Sequence, residues 1–576
     1  MDEATFLLNM TFLLLVAGIC SVIFKKLKLP PIIGYLVAGI ILAAFWVDES
    51  DETEIIVGIL SSMGLVLLMF CIGMELNLKK LRKMGAFALI VALIQVPLIV
   101  AGGYMFGILM GWDTITAILF GAIISGSSTA AVTAVLKDQG KMSKEDVETV
   151  ILITVIEDVA QVIILSLASP LLTGSAMDLD STIWMMLIIL IFIAATVSIG
   201  ILFIPRALDW IASKMPDEIL LITAVGMCFA MALMSVWIGM SMAIGAFLMG
   251  VVVSQAASRS TIEHDVTPMK DIFMAMFFIS VGLEISVSGI IDNILLIILM
   301  FAVYATLKTS TVVLGYFVCN RTLRVSFMSA VSLVAMGEFA FIIAKAGLDA
   351  GILSNDFYTS VITAALVSMV CLPILSQESS KISDYIYNHA PKPAISTVRK
   401  VEEIRDRHYE RIALMSKSTS SRFKEKATMA YLDLLLVIAI EVVFFLFTSE
   451  LTNFLHVNMG ALSYSACYTI VLAVNFVAIA IPLYELIKNL KFVEKVLIDA
   501  ERKAEVRGEG NLQRRPIKFY RAFIRINNWT LVFCIAFVIL ILVPNSVGLI
   551  EHILAMLGGI GIILLIYAYR HRTGQD

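Results

Sequence analysis

Glu157 and Asp158 stand side by side near the middle of an apolar stretch, residues 147–170, that is long enough to cross a bilayer. Each end lies about ten residues away, so at about 1.5 Å of rise per residue the pair falls near the bilayer midplane. A carboxylate at that depth costs about 2.5–3.5 kcal/mol on insertion scales. A lone intramembrane acid can serve as an interhelical hydrogen-bond partner, but two in succession point to a site that binds cations or protons. Lys308 lies in the middle of another apolar run, within Tyr304-Ala-Thr-Leu-Lys308-Thr-Ser-Thr, too deep to reach the interface comfortably. Its ammonium needs a carboxylate partner. Consecutive helical residues differ in direction by about 100°, so one acid can face Lys308 while the other faces a cavity. Thr154 and Gln161 flank Asp158 at helical spacing, either as oxygen ligands for a dehydrated cation or as lining of a packed interface.

Two further segments combine glycine with polar residues inside apolar runs. The first is Gly121-Ala-Ile-Ile-Ser-Gly126-Ser127-Ser128-Thr129, and the second is Val334-Ala-Met-Gly337-Glu338-Phe. Glycine with consecutive hydroxyl residues weakens a helix, and the hydroxyls can satisfy backbone groups freed by unwinding. Close helix packing by small residues is the other reading. Glu338 lies deep and is open between ligand and structural acid, whereas Glu75 and Glu284, nearer run ends, read as structural acids at the interface. Lys345 is expected to snorkel, and Glu441 is a single acid of unassigned role.

The elements that must position these residues are apolar helices. Of 576 residues, 60% are hydrophobic and 15% charged, which makes this an all-α polytopic membrane protein. Thirteen apolar runs fill the first two-thirds, at 6–24, 31–46, 54–74, 86–110, 114–136, 147–170, 183–205, 217–237, 240–256, 269–284, 289–318, 325–348 and 357–375. A polar stretch follows, and four more runs come at 430–449, 461–484, 528–546 and 551–568. The expected organisation is a membrane domain over 1–375, a cytoplasmic polar linker over 376–428 and an accessory C-terminal membrane region over 429–576. Lys and Arg cluster after odd-numbered runs, as in Lys79, Lys80, Arg82 and Lys83, while the alternate loops lack them. The amino terminus is therefore expected outside and the carboxyl terminus in the cytoplasm. The first run lacks a basic leader and a small-residue cleavage site, so it reads as a retained helix. The seven cysteines show no metal or disulfide spacing, and the six histidines lie outside the runs except His552, at the very start of the last one. No constellation supports an enzyme, no cofactor is expected, and membrane lipid rather than nucleic acid is the expected surrounding partner.

An internal repeat is legible. Ile33-Gly-Tyr-Leu-Val-Ala-Gly39 matches Ile244-Gly-Ala-Phe-Leu-Met-Gly250, and Met69-Phe-Cys-Ile-Gly73-Met-Glu75 matches Phe278-Ile-Ser-Val-Gly282-Leu-Glu284, both at an offset of about 210 residues and seven runs. An odd number of crossings inverts the second copy, the architecture of secondary transporters.

Leu29-Pro-Pro-Ile-Ile-Gly-Tyr-Leu, Gly-Ser-Ser-Thr129-Ala-Ala, Glu157-Asp158, Phe278-Ile-Ser-Val-Gly, Lys308 and Gly337-Glu-Phe-Ala-Phe together resemble the second branch of the monovalent cation:proton antiporters. The resemblance covers about residues 1–375. It implies a thirteen-helix inverted-repeat fold with a panel-like dimer domain, hence a homodimer. It also implies a moving core with two crossed, broken helices, and an elevator-like mechanism. The family's ion-binding aspartate maps onto Asp158. Glu157, Thr129 and Ser128 join it as candidate ion- or proton-binding residues and Lys308 as the charge-compensating one, with Glu338, Thr154 and Gln161 as further candidates. An acid at the Glu157 position accompanies electrogenic exchange in that family. Two departures stand out: Glu occupies position 157, where Asp, Asn or Gln is common, and no nucleotide-binding domain follows the membrane domain. The expected activity is Na+/H+ exchange, with K+/H+ exchange or a K+ efflux system of the same fold as the alternative. A ligand-gated channel and an organic-anion symporter are rivals from other classes. Burial favours a protonated carboxylate and a nearby cation favours an ionised one, so a single acid can hold either.

Overall fold

The computed structural model describes residues 3–389, apart from 28, 46–50, 76–85, 140–141, 173–191, 193–195 and 320. It also describes scattered positions from 422 to 448, and residues 451–457 and 463–506. Every named element among the described residues is a helix. They are α1 Glu3–Lys26, α2 Pro31–Phe45, α3 Asp51–Glu75, α4 Ala86–Leu109, α5 Thr114–Ile123, α6 Thr129–Gln139 and α7 Lys144–Leu172. A π-turn at Thr196–Gly200 leads into α8 Ile201–Lys214, followed by α9 Asp217–Trp237, α10 Met242–Val253, α11 Arg259–Leu283 and α12 Val287–Asp292. Then come α13 Ile294–Val318, α14 Leu323–Val331, α15 Glu338–Asp349, α16 Asn355–His389 and α17 Tyr464–Val506. Among the described residues, 8 helices are long and apolar enough to cross a membrane.

Local chemistry sets the helix ends. Pro31 opens α2, where its missing N–H costs nothing. Asp113 caps α5, its carboxylate accepting from the Ile115 and Thr116 backbone N–H groups at 3.0 Å. Asp217 and Glu218 sit in the first turn of α9 beside the positive end of its dipole, and Gly239 follows its end at a φ of 85° that a side-chain-bearing residue adopts rarely.

Several boundaries differ from the sequence reading. The run at 114–136 is split between α5 and α6, and that at 325–348 between α14 and α15. The run at 289–318 is divided at Asn293. The helix of the 357–375 run continues to His389, beyond the expected start of the linker, and α11 begins ten residues before its expected start, at Arg259, where Arg259 and Glu263 pair at 3.3 Å. The 461–484 run belongs to α17, which extends past the expected end of that run to Val506. Glu441, most of the seventh run and the runs at 528–546 and 551–568 lie outside the described residues.

The chain divides into two compact units, one of residues 1–176 with 182–390, the other of 177–181 with 391–576. In the second, Ala430 and Val437 pack with Ile479 and Leu486, and Asn489 donates to Asp433 at 2.9 Å. In the first, the stronger helix contacts fall into two sets. One joins α1, α2, α3, α9, α10 and α11; the other joins α4, α5, α7, α13, α14, α15 and α16. The glycines of the sequence repeat hold the first set together. Gly39 of α2 meets Gly282 of α11, and Gly73 of α3 meets Gly250 of α10, so closely that a Cβ on any of the four would collide with the opposing backbone. At one end of the bundle the two sets are tied by an ion pair of Glu284 with Lys345 and by the Tyr358 hydroxyl donating to the Val281 carbonyl at 3.3 Å.

Candidate functional site

The helix breaks face each other. Between α5 and α6 the chain unwinds over residues 124–128, and between α14 and α15 over 332–337. The two unwound segments meet in an isolated antiparallel bridge of Ser127 and Met336, where the Ser128 N–H donates to the Ala335 carbonyl at 2.8 Å. Unwinding strands polar backbone groups away from water, and the sequence supplies partners for them. The Ser127 hydroxyl donates to the Leu333 carbonyl at 2.9 Å, joined there by the Tyr304 hydroxyl at 3.2 Å, and the Met336 N–H donates to the Ser368 hydroxyl at 2.9 Å. The Ser128 hydroxyl accepts from the Ala131 N–H at 3.3 Å, which caps the restarted helix. Gly337 has room for no side chain, since a Cβ would stand 2.9 Å from the Ser127 carbonyl oxygen.

α7 brings the acid pair to this crossing and divides it. Glu157 and Lys308 are both 0% exposed, with Lys308 Nζ 2.9 Å from Glu157 Oε2. The Gln95 amide of α4 donates to the other oxygen, Oε1, and Lys308 reaches the freed Ser125 carbonyl at 3.4 Å. The helical step to Asp158 turns it to the other side, where the Thr129 hydroxyl of α6 donates to its Oδ2 at 3.1 Å. Asp158 is 8% exposed and has no cationic partner within ion-pair distance among the described residues. An unpaired buried charge is expensive, so an ionised Asp158 in this setting would need a compensating charge.

The remaining candidates sit around this centre. Glu338 is the first residue of α15, directly after the break, with Oε2 buried and without a hydrogen-bond partner. Thr154 is buried and its hydroxyl donates to the Ile151 carbonyl at 2.8 Å. Gln161 is buried against Gly126. Lys345, expected to snorkel, instead pairs with Glu284 and with Asp349 at 2.8 Å, because Glu284 ends α11 within its reach. Sequence reasoning passed over Gln95 and Tyr304. The available signal was Gln95 itself, a lone amide in the apolar run around Ile94 and Val96, which has to find a partner in the membrane.

The chain is 28% identical over 375 residues to the Na(+)/H(+)-K(+) antiporter GerN of Bacillus cereus, which covers 65% of this chain and 96% of the relative. It is 29% identical over 401 residues to the K(+)/H(+) antiporter subunit KhtU of Bacillus subtilis, covering 66% and 95%. The solved sodium proton antiporter MjNhaP1 of Methanocaldococcus jannaschii shares the fold, with a TM-score of 0.52 at 16% identity over 65% of this chain and 97% of that one. Residues 11–377, which hold both helix breaks, the acid pair and Lys308, match the family described as sodium/hydrogen exchanger, transmembrane, and the chain belongs to that family.

Proposed function

We propose that this protein exchanges Na+ for protons across the cell membrane, with Asp158 as the carboxylate that holds each in turn. The observation that carries the reading is the division of labour on α7. Glu157 is occupied by Lys308 and Gln95, whereas Asp158 faces the crossing of two unwound segments with, among the described residues, only the Thr129 hydroxyl bound to it. One acid is fixed by a neighbouring charge and the other is left to choose between a proton and a cation. Binding one excludes the other, and that exclusion couples the two fluxes. Ser128, through its backbone and cap, holds the restart of α6 in place.

The reading includes an elevator-like alternation in which the set containing α7 moves against the set containing α3 and α11. Thirteen spans, an inverted repeat, an outside amino terminus, a cytoplasmic carboxyl terminus and a homodimer belong to it. So does an accessory membrane region over 429–576. The reciprocal glycine contacts support the repeat: Gly39 and Gly250 correspond in sequence, as do Gly73 and Gly282, and each meets the other pair's counterpart. K+/H+ exchange is the second reading, favoured by the likeness to antiporters whose names include K+.

Purified protein in liposomes, given an imposed pH gradient and Na+, K+ or Li+ in turn, tests this. Wild-type protein is expected to move protons against Na+, and Asp158→Asn to fold but lose exchange. Clamping the membrane potential in the same vesicles reads whether exchange moves net charge, worth about 2.3 kcal/mol per charge per 100 mV. Near-normal exchange by well-folded Asp158→Asn would falsify the proposal.

A further inference from the structure

Gln161 lies one turn beyond Asp158 on α7. Its side chain is 0% exposed, yet neither Nε2 nor Oε1 has a hydrogen-bond partner among the described residues. Buried polar groups are nearly always satisfied, and an amide can make up to about four hydrogen bonds, so a bare one inside a membrane protein asks for an occupant. Two geometric facts place that occupant. Residues three and four apart are neighbours on a helix, so Gln161 lies beside both Asp158 and Glu157, and Glu157 is already paired with Lys308. Asp158 meets Thr129, while Gln161 meets Gly126 a little upstream on the same unwound segment, its Oε1 the side-chain atom nearest the place a Cβ there would take. Several neighbouring polar groups are already engaged: Glu157 by Gln95 and Lys308, the Ser127 hydroxyl by Leu333, the Ser128 hydroxyl by Ala131 and the Thr154 hydroxyl by Ile151, whereas Gln95 Oε1 and Glu338 Oε2 are, like the Gln161 amide, without a hydrogen-bond partner among the described residues.

We infer that Gln161 is a neutral ligand of the transported cation, its Oε1 joining an Asp158 carboxylate oxygen and the Thr129 hydroxyl oxygen around a dehydrated monovalent ion and setting which ion size the site prefers. This rests on Asp158 being the exchanging carboxylate. An amide suits the position because it brings an oxygen without a charge. A second free carboxylate would hold the cation against release. Glycine at position 126 leaves the amide its space.

The test uses full-length protein in liposomes carrying Gln161→Met, an apolar side chain of similar length, or Gln161→Asn, which withdraws the oxygen. Initial rates against Na+, K+ and Li+ at fixed pH separate KM from kcat for each ion, and the rise in melting temperature on adding each ion reads binding without transport. Gln161→Met is expected to raise KM for the preferred ion about tenfold, or about 1.4 kcal/mol. The order of preference among the three ions should shift, and the cation-induced rise in melting temperature should shrink. The pH profile at saturating cation should stay that of the wild type. Gln161→Asn should also shift the preference, and it decides the matter if Gln161→Met does not fold. Wild-type KM values and preference in the folded variant overturn the inference, as does a loss of kcat equal for all three ions, the mark of a packing role. If Asp158→Asn still exchanges, the reading of the site falls. If Asp158→Asn is inactive while Gln161→Met is unaltered, only the role of Gln161 falls.

Discussion

Replacing Lys308 by Met removes the one ammonium at the centre of the crossing and nearly preserves side-chain length. Glu157 then remains 0% exposed, with the Gln95 amide on one oxygen and nothing in place of the 2.9 Å contact on the other. Taking one member from a buried ion pair costs about 3–5 kcal/mol, because the remaining charge is neither solvated nor compensated. The freed Ser125 carbonyl loses its donor as well, which adds about 1 kcal/mol. Unfolding of the purified protein in mixed micelles should therefore show Lys308→Met less stable by at least about 3 kcal/mol. The companion is the double variant Lys308→Met with Glu157→Gln, in which the buried charge is gone and Gln95 faces a neutral amide. It should recover about 2 kcal/mol or more relative to the single variant, the coupling expected of residues in direct contact. A Lys308→Met protein within about 0.5 kcal/mol of wild type, or a double variant no more stable than the single one, would refute the claim that the pair is a buried, mutually dependent unit.

Two further outcomes are expected. Gly73→Ala places a Cβ 2.9 Å from the Gly250 Cα and 3.0 Å from the Val251 N, both backbone atoms that cannot swing aside, and should cost about 1–3 kcal/mol in the same unfolding assay. Gly58→Ala, on the same helix with nothing within 4 Å, should be neutral or slightly stabilising. Burial alone would push the Asp113 carboxyl up, but hydrogen bonds from Thr116 and Ile115 outweigh it and hold the group below the usual aspartate range. Its cap therefore stabilises the fold above the ordinary carboxylate value of about 3.9 and stops doing so as pH falls through the lower folded value. Asp113→Ala should cost about 0.5–1 kcal/mol at neutral pH and converge with wild type in strong acid.

The sequence marked Gly126 and Gly337 as places where a helix could break, because glycine beside polar residues weakens it, but close packing by small residues reads the same way, and only the fold separates the two. The sequence also made clear that Lys308 needs an acid, but not which one. That choice depends on the rotation of α7 against α13, a property of packing rather than of residue type. Gln95 was passed over for a related reason: a lone amide in an apolar run announces that it has a partner without naming it, and here the partner lies 62 residues away on another helix. Lys345 misled for a simpler cause. Its distance from the run end suits snorkelling, and only the fold brings the end of α11 beside it. Asn293 likewise divides what hydropathy reads as one run, since apolar character continues on both sides of the division.

The two helix sets are held together by contacts of different kinds, and the difference bears on the proposed movement. Within the α1–α3 and α9–α11 set, backbone meets backbone at Gly39–Gly282 and Gly73–Gly250, so parting these helices would open voids that no side chain can fill. Within the other set, buried side chains from α4, α7 and α13 share one charge network around Glu157, and any internal shift would strand a charge. Between the sets, the ion pair of Glu284 with Lys345 is 29% and 23% exposed in its side chains, a setting in which an ion pair contributes about 0–1 kcal/mol. Each set is thus costly to deform internally, while this ion pair between them is cheap to break and remake; the Tyr358 hydrogen bond to Val281 and the ring contact of Phe278 with Phe341 at 5.5 Å also join the sets and would have to part. A bound ion at Asp158 would travel with its whole network, because Thr129 and α7 belong to the body that holds Lys308. That ordering of costs favours movement of one rigid set past the other over rearrangement inside either.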